Sequence, residues 1–170
     1  PVFAWFKAAT FNQLFTHSDA EFLAVGGKEQ LQQASAASSV KALITMDDSG
    51  SDQFKKVVPF SDLLKGSGDA NNLDFTLGKN DICLNMYTSG TMGVPKCVQL
   101  THGNILSQQA ALENVWKLDS KDRFLSYLPW HHSFGGIFER FSALYSGATM
   151  YLDSGYGKDP KILIENWKEV

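Results

Sequence analysis

Apolar Phe3, Phe6, Leu14 and Phe15, with Thr10 between them, recur at three- and four-residue steps. That spacing lays a stripe along one helical face, so residues 3–16 are predicted as an amphipathic helix ended by His17-Ser18-Asp19. Short apolar runs at 21–25 and 40–46 flank a segment, 28–38, whose Leu31, Ala34 and Ala37 share a helical face. Strand, helix, strand is the order a parallel sheet needs, because a crossover must return the chain to the starting edge. Residues 47–52 read as a solvent loop and 54–60 as a further strand ending at Pro59, with Ser61 as the cap of a single turn over 62–65.

Residues 65–80 are rich in Gly, Asp and Asn. They suit either a linker or a surface loop within one domain, and the loop is preferred. Beyond them, 81–87 and 97–100 read as two strands joined by the cluster Thr88 to Lys96. Thr101 caps a predicted helix whose Ile105, Gln109, Leu112 and Trp116 share a face. The segment 119–123 turns the chain into a strand at 124–128, which Pro129 stops. A mainly apolar helix at 134–145 ends at Gly147, a strand follows at 148–152, and Asp159-Pro160 opens a last helix. The alternation predicts an α/β fold with a mainly parallel sheet, taken as a single fragment over 1–170.

Composition narrows the classes. The chain has 170 residues, 44% hydrophobic and 19% charged, enough for a core and too apolar for general disorder. Fifteen Lys and Arg against eighteen Asp and Glu leave a net charge of −3, so no broad basic face is offered to nucleic acid. Two cysteines, Cys83 and Cys97, fit neither a disulfide scaffold nor a paired zinc pattern. With no run of membrane-spanning length and no leader, the expected setting is soluble, reducing and cytoplasmic. The opening Pro1-Val2-Phe3 and a final helix that runs to the last residue suggest a piece of a longer protein.

One segment demands chemistry. Tyr87-Thr88-Ser89-Gly90-Thr91-Met92-Gly93-Val94-Pro95-Lys96 gathers hydroxyls, two glycines and a lysine in one bend. Glycines let backbone N–H groups approach an anion, hydroxyls donate to non-bridging oxygens, and lysine adds a compact positive charge. The bland alternative is a strand connection rich in turn residues. A Walker A loop is excluded, because Gly90 and Gly93 have two residues between them and Pro95 precedes Lys96.

This ordered run, with Val98-Gln99-Leu100-Thr101-His102-Gly103-Asn104 after it, resembles the phosphate loop of the adenylate-forming (AMP-binding) superfamily, which includes acyl-CoA synthetases of the long-chain fatty acid–CoA ligase type. Leu128-Pro129-Trp130-His131-His132-Ser133-Phe134-Gly135 resembles that superfamily's Leu-Pro-x-x-His segment, with His132 at the histidine position. The resemblance implies ATP or phosphate binding by Thr88, Ser89, Gly90, Thr91, Met92, Gly93 and Lys96, and a catalytic part for His132 as a donor that orients the acyl group. It also implies ATP, Mg²⁺ and coenzyme A as reactants of the parent enzyme, a small-molecule carboxylic acid as substrate, and no nucleic-acid partner.

Met92 stands where Thr or Ser is usual and Cys97 where Gly commonly follows the lysine, which bears on nucleotide affinity. The two histidines could instead be satisfied by backbone carbonyls at a strand end, and neighbouring side chains on a strand diverge too far for a metal pair. Phe138-Glu139-Arg140 resembles the Phe-Glu-Arg of long-chain enzymes, displaced by Gly135-Gly136-Ile137; Glu139 and Arg140 could equally be a solvated helix face or a packing ion pair. The chain is expected to match the middle of the large N-terminal domain, to lack the C-terminal domain, and to be inactive alone. Self-association through surfaces bared by truncation is a further expectation. The alternatives are a non-catalytic binding or regulatory relative, and an adenylation domain of the peptide-synthetase or luciferase-like branch.

Overall fold

A computed structural model describes residues 7–34, 40–47, 56–66, 68, 76–88 and 95–170. The chain divides into two compact units between Phe75 and Thr76, within the Gly-, Asp- and Asn-rich stretch at 65–80.

The first unit contains α1 (Ala8–His17), β1 (Phe22–Val25), α2 (Lys28–Ala34), β2 (Ala42–Thr45), β3 (Val57–Pro59) and α3 (Phe60–Lys65). Its three strands form a parallel sheet in the order β1-β2-β3. Val25, Leu31, Ala34 and Leu43 make the core, with Phe11, Leu23 and Val57 against it. The expected strand-helix-strand unit is therefore present, with α2 as the crossover. The helix predicted from residue 3 is described from Ala8 onward, since 1–6 lie outside the described residues. Ser61 does not cap α3. The helix starts two residues earlier than predicted, at Phe60, because Pro59 in extended geometry (φ −58°, ψ 137°) delivers the chain directly into it.

The second unit opens with β4 (Ile82–Thr88) and β5 (Lys96–Thr101). They pair antiparallel from Ile82 opposite Thr101 to Thr88 opposite Lys96, with an irregularity between Ile82 and Leu84 that leaves Cys83 as the extra residue. The Thr88-to-Lys96 cluster is thus the connection of a hairpin.

Helix α4 (His102–Trp116) follows at once, capped as expected by Thr101. The Asn104 backbone N–H donates to Thr101 Oγ1 and the Thr101 N–H donates to Asn104 Oδ1, a reciprocal capping box. The chain then runs through β6 (Arg123–Ser126), a π-helical segment (Phe134–Glu139), α5 (Arg140–Ser146), β7 (Thr149–Leu152) and α6 (Pro160–Glu169). Strands β6 and β7 are parallel neighbours. Gly147 ends α5 with φ +75°, and Asp159 caps α6 by accepting from the Lys161 N–H, both as the sequence suggested. Met86, Ile105 and Ile137 form the core of this unit, tying β4, α4 and the π-helix together. Among the described residues no helix is long and apolar enough to cross a membrane.

Candidate active site

The phosphate-loop candidates divide by position. Thr88 and Lys96 face each other as the last register pair of the hairpin, and both are exposed. Ser89, Gly90, Thr91, Met92 and Gly93 lie outside the described residues. Pro95, which has no N–H to give a ladder, sits immediately before the first residue of β5. Cys97 is opposite Tyr87, within the paired part of β5. The unusual residue after the lysine is therefore a strand residue.

Helix α4 does not serve the same end of the hairpin. Its start adjoins Thr101, five residues along β5 from Lys96 and about 17 Å away for an extended strand. Its first N–H groups are also engaged: His102 donates to the Asp81 carbonyl, Gly103 to the Lys79 carbonyl and Asn104 to the Thr101 hydroxyl. The Thr-His-x-Asn sequence thus builds a helix start closed by protein acceptors rather than an open anion site.

The second motif occupies a turn. Strand β6 ends at Ser126, two residues sooner than predicted, because its ladder with β7 ends at the Ser126–Leu152 pair. His131 and His132 therefore lie on a turn after the strand and not at its last positions. The His132 N–H donates to the Pro129 carbonyl and the His132 carbonyl accepts from the Gly136 N–H. His132 Nδ1 accepts from the Phe134 N–H at 3.3 Å. The His132 ring is exposed. His131 is held below the ordinary imidazole range, first by burial and then by the adjacent His132. No group of three or more His, Cys, Asp or Glu side chains able to hold a metal occurs among the described residues.

Glycines seat this turn. A Cβ on Gly135 would stand 2.6 Å from the Leu128 carbonyl oxygen and 2.9 Å from that of Pro129; one on Gly136 would meet the Trp130 carbonyl closer still. On the other side Gly157, at φ +67°, brings the 153–157 turn so near that a Cβ would lie 2.6 Å from the Tyr127 carbonyl oxygen. Asp153, 4% exposed, organises that turn by accepting from the Gly157 N–H and from Asn166 Nδ2, each at 2.6 Å. The Gly157 bond leads in holding its carboxyl below the usual aspartate range.

Glu139 corrects the sequence reading most. It is neither a solvated face nor half of an ion pair formed among the described residues: it is 5% exposed and accepts from the Ser126 hydroxyl at 2.7 Å. Ser126, equally buried, accepts in turn from Trp130 Nε1 at 3.1 Å. Burial raises the Glu139 carboxyl above its usual range, against the lowering effect of the Ser126 bond. Arg140 turns away to lie 5.7 Å from the Trp130 ring centroid and 4.7 Å from that of Phe141. Glu139 is turned inward because the π-helix that Gly135 and Gly136 permit rotates position 139 toward the end of β6. A serine in the otherwise apolar Phe124-Leu125-Ser126 run was the one sequence signal of this group.

Comparison with known proteins decides the family. A model of the family described as AMP-binding enzyme matches residues 1–170. The chain belongs to the AMP-binding enzyme family. Among curated members, it is 40% identical over 93 residues to Long chain acyl-CoA synthetase 3 of Arabidopsis thaliana, covering 52% of this chain and 13% of that one. It is also 40% identical over 99 residues to Long-chain-fatty-acid–CoA ligase 1 of Saccharomyces cerevisiae, covering 56% of this chain and 14% of the relative. Among solved structures, ATP-bound MatB from Rhodopseudomonas palustris superimposes with a TM-score of 0.81 at 20% identity, over 100% of this chain and 32% of that one. The α/β architecture is thus that of the family, and the chain spans about a seventh of the curated relatives it matches.

Proposed function

We propose that this chain is part of the large N-terminal domain of an ATP-dependent carboxylic acid–CoA ligase acting on a fatty acid in the cytoplasm. The observation that carries the reading is the register of Thr88 opposite Lys96 at the exposed mouth of a hairpin, in a chain that belongs to the AMP-binding family. A hydroxyl and an ammonium flanking the Ser89-Gly90-Thr91-Met92-Gly93 connection suit a triphosphate, whose transfer chemistry rests on positioning and on stabilising spread charge. The substrate carboxylate would attack the α-phosphorus, pyrophosphate would leave, and the coenzyme A thiol would then displace AMP. Mg²⁺ belongs to this reading as a partner of the phosphates. His132 would donate to the acyl or phosphate oxygen.

These 170 residues are expected to be inactive alone and to self-associate through exposed apolar surface. Exposed Leu144, Leu152, Tyr156 and Trp167 support that expectation. The test is ATP–pyrophosphate exchange by the full-length ligase carrying this segment, over a panel of short, long and aromatic acids. Exchange dependent on a long-chain acid supports the reading; none with any acid overturns it in favour of a non-catalytic relative.

A further inference from the structure

We propose that Glu139 is a positioning residue: through the Ser126 hydroxyl and the Trp130 indole it fixes the turn that presents His132. The inference rests on the ligase reading above and adds a residue group to it.

The argument begins with direction. An indole N–H can only donate, so Ser126 Oγ must accept from Trp130 and spend its own proton on an acceptor, and Glu139 Oε2 is that acceptor at 2.7 Å. The three groups therefore connect in one sense only, and a carboxyl at the far end keeps the serine proton pointed away from the indole. Glu139 is a demanding residue for the place. An apolar side chain of similar volume would avoid desolvating a carboxylate, so packing alone does not call for an acid there. Its burial raises the carboxyl's affinity for a proton, the expected sign of a group held where water would not put it.

The relay ends on the functional turn itself. Trp130 lies between Pro129, whose carbonyl accepts from His132, and His132, whose carbonyl accepts from Gly136. The indole is held at its edge by Ser126 and approached on its face by Arg140, the residue next to Glu139. Both restraints on the ring come from the end of β6 and the π-helix-to-α5 junction, which the unit core fixes through Ile137. Losing the indole tie would free the 129–132 turn from the end of β6 and so loosen the seat of the His132 ring, which is also held by the 3.3 Å bond from Phe134. No atom of Glu139 needs to reach a substrate for this role.

The test uses the full-length ligase and five variants: Ser126→Ala, Ser126→Thr, Trp130→Phe, His132→Ala and Trp130→Phe combined with His132→Ala. Trp130→Phe keeps a ring for Arg140 at a partly exposed site and removes only the N–H, so it reports on the relay without a core defect. The expected result is a fall in kcat for pyrophosphate exchange in Ser126→Ala and Trp130→Phe, on the order of 10²-fold at most, with the KM for ATP unchanged. Ser126→Thr restores the rate, and Trp130→Phe adds no further loss in the His132→Ala background. Undiminished exchange in both Ser126→Ala and Trp130→Phe overturns the inference while leaving the ligase reading intact. So does a loss that adds fully to that of His132→Ala. A wild-type protein without exchange overturns the ligase reading and this inference with it.

Discussion

Gly136 lies against the carbonyl of Trp130 so tightly that no Cβ fits between them. Gly136→Ala must push the π-helix off the 128–130 backbone, and overpacking of this kind typically costs about 1–3 kcal/mol. Thermal unfolding should show a lowered Tm for Gly136→Ala and none for Gly68→Ala, where nothing lies within 4 Å.

Glu139 gives a pH dependence of definite sign. Its folded carboxyl is raised above the reference value of 4.5, so the folded state holds the proton more tightly than the unfolded one. Stability therefore falls as pH rises from that reference through the raised value and levels off above it. Glu139→Gln removes this slope. Urea midpoints measured from pH 4 to 8 should converge for wild type and Glu139→Gln at the acid end, with the wild type declining relative to the variant as pH rises; parallel curves would contradict the burial argument.

Asp153 behaves oppositely. Its folded carboxyl lies below the reference value of 3.8, so its contribution is present above that value and is lost as pH falls through the folded one. Asp153→Asn should be less stable than wild type at neutral pH, and the gap should close in acid. Denaturant midpoints at pH 7 and pH 2.5 test this.

Lys96 is the charge at the hairpin mouth. Lys96→Ala should slow pyrophosphate exchange by about 10²- to 10³-fold, the scale for removing one preorganised donor to developing charge, with the fold unchanged because Lys96 is exposed. An unaltered exchange rate would remove Lys96 from that role.

Local signals carried the fold far into the sequence. Thr101 with Asn104, Asp159 with Pro160, and Gly147 mark element boundaries by chemistry confined to a few neighbouring residues, and each stands where it was expected. The bend at 88–96 was legible for the same reason, since its glycines and hydroxyls cluster in one run. Ser61 failed as a cap because Pro59 already set the entry into α3. Glu139 was illegible because its partners, Ser126 and Trp130, are brought to it by tertiary approach, and the π-helix that turns it inward depends on glycines meeting carbonyls from another segment. Periodicity at 3.6 residues describes an α-helix and assigns position 139 the wrong face.

The His132 turn is gripped by backbone on both sides: Gly135 and Gly136 press on residues 128–130 and Gly157 presses on Tyr127. None of these grips uses a side chain of the turn. These backbone approaches would survive the exchange of an outward-facing side chain, whereas an exchange at Trp130 would also remove the side-chain tie from its indole to Ser126.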